Sequence, residues 1–333
     1  MPVEQEARQV IEGLYIVGFE KTLDEMNLVK EVTSEDGRLS IILASAALED
    51  DVKEKIKKTV TIATSKLPGI KSVEVKFVTT AADVNKIKNV IAIMSGKGGV
   101  GKSLVSSLTA IALRRAGHEV GILDADITGP SIPRMFGIME RPGGDESGII
   151  PVKSKLGISI MSINLLLPSE DEAVVWRGPL IAGVIRQFWE DVRWGNLDYL
   201  IVDLPPGTAD APLTVLQSLP VSGIIVVSTP QELTSMVVRK AINMARHMDK
   251  PILGVVENMS YLYVPEIDKK IELFGKSRGE EMAKAAGAPL LGQLPIDPEL
   301  ARLCDQGDIE RYNGEAYNTF VQNLSRTLLK AKK

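Results

Sequence analysis

Gly96, Lys97, Gly98, Gly99, Val100, Gly101, Lys102 and Ser103 place a sterically open backbone, two ammonium groups and a hydroxyl within one short stretch. The four glycines let the chain turn tightly and aim several N–H groups at one point, where they can surround an anion. The spacing fits G-x-x-x-x-G-K-[ST]. In that pattern Lys102 reaches the β- and γ-phosphates of a nucleotide and the Ser103 hydroxyl ligates Mg²⁺. A glycine-rich turn without a ligand would need neither side chain in register, so the expected ligand is a nucleotide.

Carboxylates supply the rest of such a site. Asp124 and Asp126 follow the apolar run Val120-Gly121-Ile122-Leu123, and Asp203 follows Tyr199-Leu200-Ile201-Val202. Carboxylates at the carboxyl ends of strands face the ligand crevice of an open α/β sheet. Asp203 is therefore expected to point toward Mg²⁺, Asp124 to lie near the magnesium shell, and Asp126 to orient or activate an attacking water. Leu204-Pro205-Pro206-Gly207-Thr208 would continue from Asp203 as a stiff loop able to sense the γ-phosphate, and residues 128–133 read as a turn-rich switch segment. Asn258 closes the apolar run 252–256, and its amide can pair with an adenine edge. Lys97 is a second lysine that the phosphate motif does not itself require.

These residues need strands and helices to hold them. Residues 89–94 read as a buried parallel strand entering the glycine loop, and 103–113 as a helix leaving it. Further strands are expected at 119–123, 156–162, 198–203, 223–228 and 252–256. With helices between most of them, this gives an α/β fold with a mostly parallel sheet flanked by helices. Residues 137–151 read as a long loop. The last helix, about 314–332, sets Tyr317, Phe320, Val321, Leu324 and Leu328 on one side, a pattern for core packing rather than for a membrane surface.

The amino-terminal part reads as a separate small α+β module. It has a helix over about 4–15, a hairpin through Ser34-Glu35-Asp36-Gly37, a helix over 49–67 with Val52, Ile56, Val60, Ile62 and Ala63 at helical spacing, and a strand at 72–78. The expected division is 1–79 for this module, 80–88 for a linker and 89–333 for the phosphate-binding domain.

A net charge of −4 gives no global reason to expect a nucleic-acid partner. No apolar run approaches the roughly 20 residues that span a bilayer, and the acidic start of the chain does not resemble a signal peptide. One cysteine, Cys304, excludes an intrachain disulfide framework. The expectation is a cytoplasmic protein with neither nucleic acid nor membrane as partner.

Taken together, these motifs resemble the Mrp/ApbC family of iron–sulfur cluster carrier ATPases, relatives of MinD and ParA. The matching segments run in order: residues 96–103, 124–126 with 129–133, Trp176-Arg177-Gly178-Pro179, 203–208, Thr229-Pro230-Gln231-Glu232, Glu257-Asn258-Met259-Ser260 and Asp297-Pro298. The amino-terminal module resembles the small iron–sulfur-assembly domain often fused ahead of the ATPase. The resemblance implies ATP and Mg²⁺ as ligands, slow ATP hydrolysis, and a homodimer in which Lys97 reaches the partner subunit's nucleotide. It also gives weight to Arg177. The client apoprotein or assembly partner is not specified.

One departure is chemical. The family's Cys-Pro-x-Cys motif, one per subunit, holds a bridging cluster, whereas here the segment reads Val264-Pro265-Glu266-Ile267. The amino-terminal module likewise has Ala44-Ser45-Ala46-Ala47-Leu48 where its relatives place a cysteine. Clusters take about four thiolate ligands. Cys304 cannot supply them, and His118 and His247 read as surface residues, so no Fe–S ligand is identified and no cluster is expected on the isolated protein. Two functions fit: an assembly factor acting on a cluster-bearing partner, and a MinD/ParA-type ATP switch that regulates or positions another protein.

Overall fold

The computed structural model describes residues 3–16, 21–26, 28–44, 48, 50–78, 85–126, 129, 131–145, 148–166, 178–208 and 210–331, without the side chains of 178–182, 232–238 and 330–331. Thr128, Pro130, Trp176, Arg177 and the cysteine-equivalent segment 45–47 lie outside the described residues. The chain divides into Met1–Asn85 with Gly144–Ile149, and Lys86–Gly143 with Ile150–Lys333.

In the first unit a helix, Val3–Glu12, precedes the short pair β1 (Tyr15–Ile16) and β2 (Lys21–Thr22). Strands β3 (Val29–Glu35) and β4 (Arg38–Ala44) form an antiparallel hairpin. Its turn puts both Asp36 and Gly37 at positive φ, the geometry whose twist matches the strands it joins. β5 (Ser72–Val78) pairs parallel to β4, which needs a crossover, and the helix Asp50–Thr64 provides it. Ile56, Val60 and Thr64 recur every fourth residue on its buried face. Ile62 lies off that face and is 51% exposed, contrary to its expected place in the stripe.

The second unit is built on an eight-stranded sheet ordered β10-β11-β7-β12-β6-β13-β14-β17. The strands are β6 (Lys86–Ser95), β7 (Val120–Asp124), β10 (Val152–Lys153), β11 (Ser159–Ser162), β12 (Asn196–Asp203), β13 (Gly223–Ser228), β14 (Ile252–Glu257) and β17 (Leu290–Gln293). All pairs are parallel except the edge pair β10–β11. β6 starts at Lys86 and so takes in 86–88, expected in the linker; Lys88 Nζ lies 2.7 Å from Asp198 Oδ1, and Lys86 N donates to Gly195 O.

β6 is central, paired with β12 and β13, and is buried from Val90 to Ser95. The helix Lys102–Arg115 that follows the glycine loop is buried from Val105 through Leu113. A helix buried on all sides belongs inside a domain, and its polar Ser106, Ser107 and Thr109 hydroxyls bond to backbone carbonyls one turn earlier. Residues 137–151, expected as a loop, contain a two-stranded ribbon of β8 (Gly143–Asp145) and β9 (Gly148–Ile150). The carboxyl-terminal helix, Glu315–Ala331, buries Tyr317, Phe320, Leu324 and Leu328 in the main core. Among the described residues, no helix is long and apolar enough to cross a membrane.

Candidate functional site

Strand register places the acidic residues side by side. Asp203, the last residue of β12, is the lateral neighbour of Ile93 on β6 and of Asp124 on β7. Three strand ends thus meet where β6 runs into the glycine loop, the crevice at which open parallel sheets bind ligands. No sequence-local signal specifies this meeting, because the strands come together only in the sheet.

The loop itself shows why its glycines are there. Gly99 and Gly101 have φ of +79° and +80°, in the left-handed region that side chains disfavour. At Gly101 a Cβ would also come within 2.1 Å of Asn258 Nδ2, so glycine is required twice over. Gly101 caps the helix without any side-chain hydrogen bond, and the helix has no acidic residue in its first turn. Its leading N–H groups therefore face the loop without a side-chain acceptor, as an anion site needs.

Lys102 is buried, with Nζ 2.8 Å from Asp203 Oδ2 and 3.4 Å from Asp126 Oδ2. The ammonium thus sits between two carboxylates, closest to Asp203. Burial alone would pull the Lys102 pKa down; the charges of Asp203, Asp126 and Asp124 outweigh it and raise the pKa, which keeps the group cationic at neutral pH. Asp203 is fully buried and accepts hydrogen bonds from Ser103 Oγ and Ser106 Oγ, each at 2.6 Å.

Asp124 lies deeper. It accepts from Asp126 N at 3.2 Å, Ser162 Oγ at 3.2 Å and Ile132 N at 3.4 Å, and so orients the backbone that carries Asp126. Burial, and then the charge of Asp203, push its carboxyl up to about 8. The cluster around Lys102 thus retains a proton near neutral pH, as expected where several carboxylates share one cation.

The donor set fits a nucleotide with Mg²⁺. A buried ammonium, a helix amino terminus and the Ser103–Asp203 pair are the groups that phosphates and a hard cation take. Gly96 and Val100 are buried in the loop, and Gly98 and Gly99 are exposed. Lys97 is exposed on the loop's rim and makes no ion pair among the described residues. Asn258 is buried against the loop and donates from Nδ2 to Val100 O at 2.9 Å, so part of its amide serves the loop rather than a base. Sequence reasoning missed Ser106 and Ser162. The one available signal was the run of small polar residues, Ser106, Ser107 and Thr109, about one turn into a helix that is otherwise buried and apolar as far as Leu113.

A cluster does not fit the residues present. Val264 ends β15 (Leu262–Val264), and Ile267 sits in the turn that leads to β16 (Lys269–Ile271), 57% exposed. Half-buried Cys304 has its thiol pushed up to about 11 by burial and the charge of Asp305, which disfavours the thiolate that would ligate iron. His118 packs edge-on against Tyr199, and His247 is exposed at a helix end. Among the described residues no group of three or more His, Cys, Asp and Glu could hold a metal ion.

Known proteins share the fold and much of the sequence. A family model for NUBPL iron-transfer P-loop NTPases, of ParA type, matches residues 86–329. An iron–sulfur cluster carrier protein of Aquifex aeolicus is 39% identical over 328 residues, covering 89% of this chain and 88% of its own. The corresponding protein of Clostridium perfringens is 47% identical over 237 residues, covering 69% and 83%. A nucleotide-binding protein of Archaeoglobus fulgidus, solved in complex with ADP, superposes with a TM-score of 0.63 at 45% identity, covering 70% of this chain and 92% of its own. With the model spanning most of the chain and the identity extending beyond it, the protein belongs to the NUBPL iron-transfer family of P-loop NTPases.

Proposed function

We propose that this protein is an ATP-switched homodimer that hydrolyses ATP slowly and serves iron–sulfur cluster assembly by acting on a cluster-bearing partner or its apoprotein client, without holding the cluster at its own hairpin. The observation that carries the reading is Lys102 Nζ, buried among Asp203, Asp126 and Asp124 at the mouth of the glycine loop and kept cationic by them. A buried cation held at the amino terminus of a helix, beside a loop of free amides, is the arrangement that receives phosphates, and ATP supplies them.

In this reading the amides of residues 96–103 and the amino terminus of the helix Lys102–Arg115 cradle the β- and γ-phosphates, and Lys102 neutralises the charge that builds as the bond to the γ-phosphorus breaks. Ser103 and Asp203 hold Mg²⁺, which when bound neutralises phosphate charge. Asp124 acts behind them by holding the backbone of Asp126, and Asp126 accepts a hydrogen bond from the attacking water and orients it. Asn258 keeps the loop in shape and lies beside the expected base. The single cysteine is in keeping with a cytoplasmic setting.

Lys97 acts on the partner subunit's nucleotide, since its own loop is already served by Lys102 and backbone amides. A cation supplied in trans is worth about 10³-fold or more in phosphoryl transfer. Lys97→Ala should therefore bind nucleotide as a monomer with near wild-type affinity and lose turnover by roughly that factor. In light scattering, the hydrolysis-defective Asp126→Ala variant should form more dimer with ATP than with ADP. Wild-type turnover in Lys97→Ala, or a monomer with ATP at high protein concentration, would remove the trans role.

The second reading, a MinD/ParA-type switch without any cluster partner, is favoured by Val264 and Ile267 alone. Transfer assays with a cluster-loaded scaffold and an apoprotein separate the two: ATP-dependent stimulation of transfer supports the first, and none supports the second.

A further inference from the structure

Between β14 and the helix Gly279–Ala286 the chain leaves the sheet, and one carboxylate holds both ends of that excursion. Glu257, the last residue of β14, is fully buried. On the outgoing side it accepts from Ser260 Oγ at 2.6 Å. On the returning side it accepts from Ser277 Oγ at 2.6 Å and Arg278 N at 2.7 Å. Gln293 Nε2, on neighbouring β17, adds a donor at 3.2 Å. These four donors come from both ends of the excursion and from the neighbouring strand.

The adjoining residue touches the nucleotide loop. Asn258 donates to Val100 O at 2.9 Å, its backbone N is tied to Ser228 O, and its amide fills the space beside Gly101. Met259 then adopts φ of 53°, a left-handed conformation that non-glycine residues seldom hold and that concentrates at switch points. The excursion beyond is preformed. β15 and β16 pair antiparallel, Tyr263 OH donates to Asp268 Oδ1 at 2.8 Å, and Lys270 Nζ lies 4.5 Å from the Tyr261 ring centroid. It carries exposed Ile267, Leu273 and Phe274.

We propose that Glu257 is a positioning residue that couples the nucleotide loop to residues 261–277, so that occupancy of the loop sets how this excursion is held. The proposal rests on the ATP-switch reading above. A displacement at Val100 reaches Ser260 through Asn258 and Met259. Because the same carboxylate grips Ser260 and the Ser277–Arg278 return, both ends move together and the element shifts as a body. Without the clamp the outgoing end would move alone, and the return would stay with its helix.

Hydrogen exchange on the full chain, without nucleotide, with MgADP and with a non-hydrolysable MgATP analogue, tests this. Binding of the analogue should protect residues 96–103 and change exchange across 261–277 by at least about 5-fold, the low end of measured couplings between sites. Glu257→Gln keeps the shape but puts an amide donor in place of one carboxylate oxygen, facing either Arg278 N or the Ser260, Ser277 and Gln293 donors. It should keep protection at 96–103 while the nucleotide-dependent change at 261–277 falls below about 2-fold. Ser277→Ala removes one partner at the half-exposed end of the clamp, and should reduce the same ratio in a variant whose circular dichroism is native.

A purely structural role would speed exchange equally in all three states and leave the ratio intact, which would overturn the coupling. So would an unchanged excursion in the wild type alongside protection at 96–103. Absence of protection at 96–103 would overturn the switch reading and the proposal with it.

Discussion

Anaerobic reconstitution with iron and sulfide should leave this protein without a stable cluster, its absorption no different from that of a Cys304→Ser control. A cluster takes about four thiolates, and each chain has one cysteine, so a dimer falls short even before geometry is considered. Chemistry makes matters worse: burial and the charge of Asp305 push the Cys304 thiol, on the helix Pro298–Asp305, up to about 11 and keep it protonated. Val264 and Ile267 flank Pro265 and Glu266 at the end of β15, and Ile267 is open to solvent. The converse result is equally specific. Val264→Cys combined with Ile267→Cys should gain iron and acid-labile sulfide on reconstitution, because the change restores two thiols per chain, four per dimer, on a hairpin pinned by Tyr263–Asp268 and Lys270–Tyr261. Stoichiometric cluster in the unaltered protein would sink this reading and return the hairpin to a direct carrier role.

Lys102→Ala should abolish measurable nucleotide binding. Removing one partner of a buried charge pair costs about 3–5 kcal/mol, which in binding would be roughly 10²–10⁴ in affinity. Here the loss leaves Asp203, Asp124 and Asp126 facing the phosphates without their cation, which adds repulsion to the missing contact. The same deletion lowers stability, so a melting curve must accompany the titration. Asp126→Ala should do the opposite: nucleotide affinity within a few-fold of wild type, and phosphate release lower by about 10²–10⁴, the usual range for a residue that positions or deprotonates the attacking group. Fluorescent-nucleotide titration and a phosphate-release assay check the pair. If both variants turn ATP over at the wild-type rate, the site assignment is wrong.

Much of this site was legible because its chemistry is local. The glycine loop, Lys102 and Ser103 lie within one short stretch, and the left-handed Gly99 and Gly101 are what such a loop demands. The hairpin through Asp36 and Gly37 and the crossover helix Asp50–Thr64 could be read for the same reason: turn residues and helical periodicity act over a few positions. Contacts made by sheet assembly were not legible. Ser106 meets Asp203, Asn258 meets Val100, and Asp124 meets Ser162 across long stretches of chain, and nothing local to either partner specifies the other. Ile62 shows the limit from the other side. It is apolar and near the right spacing, yet the helix face that packs is set by Ile56 and Val60.

The most direct single test is native mass spectrometry of the anaerobically prepared Asp126→Ala variant with excess MgATP. The expected species is a dimer carrying two ATP molecules and no iron or sulfide mass. A dimer with bound iron and sulfide, or protomers that carry no nucleotide, would contradict it.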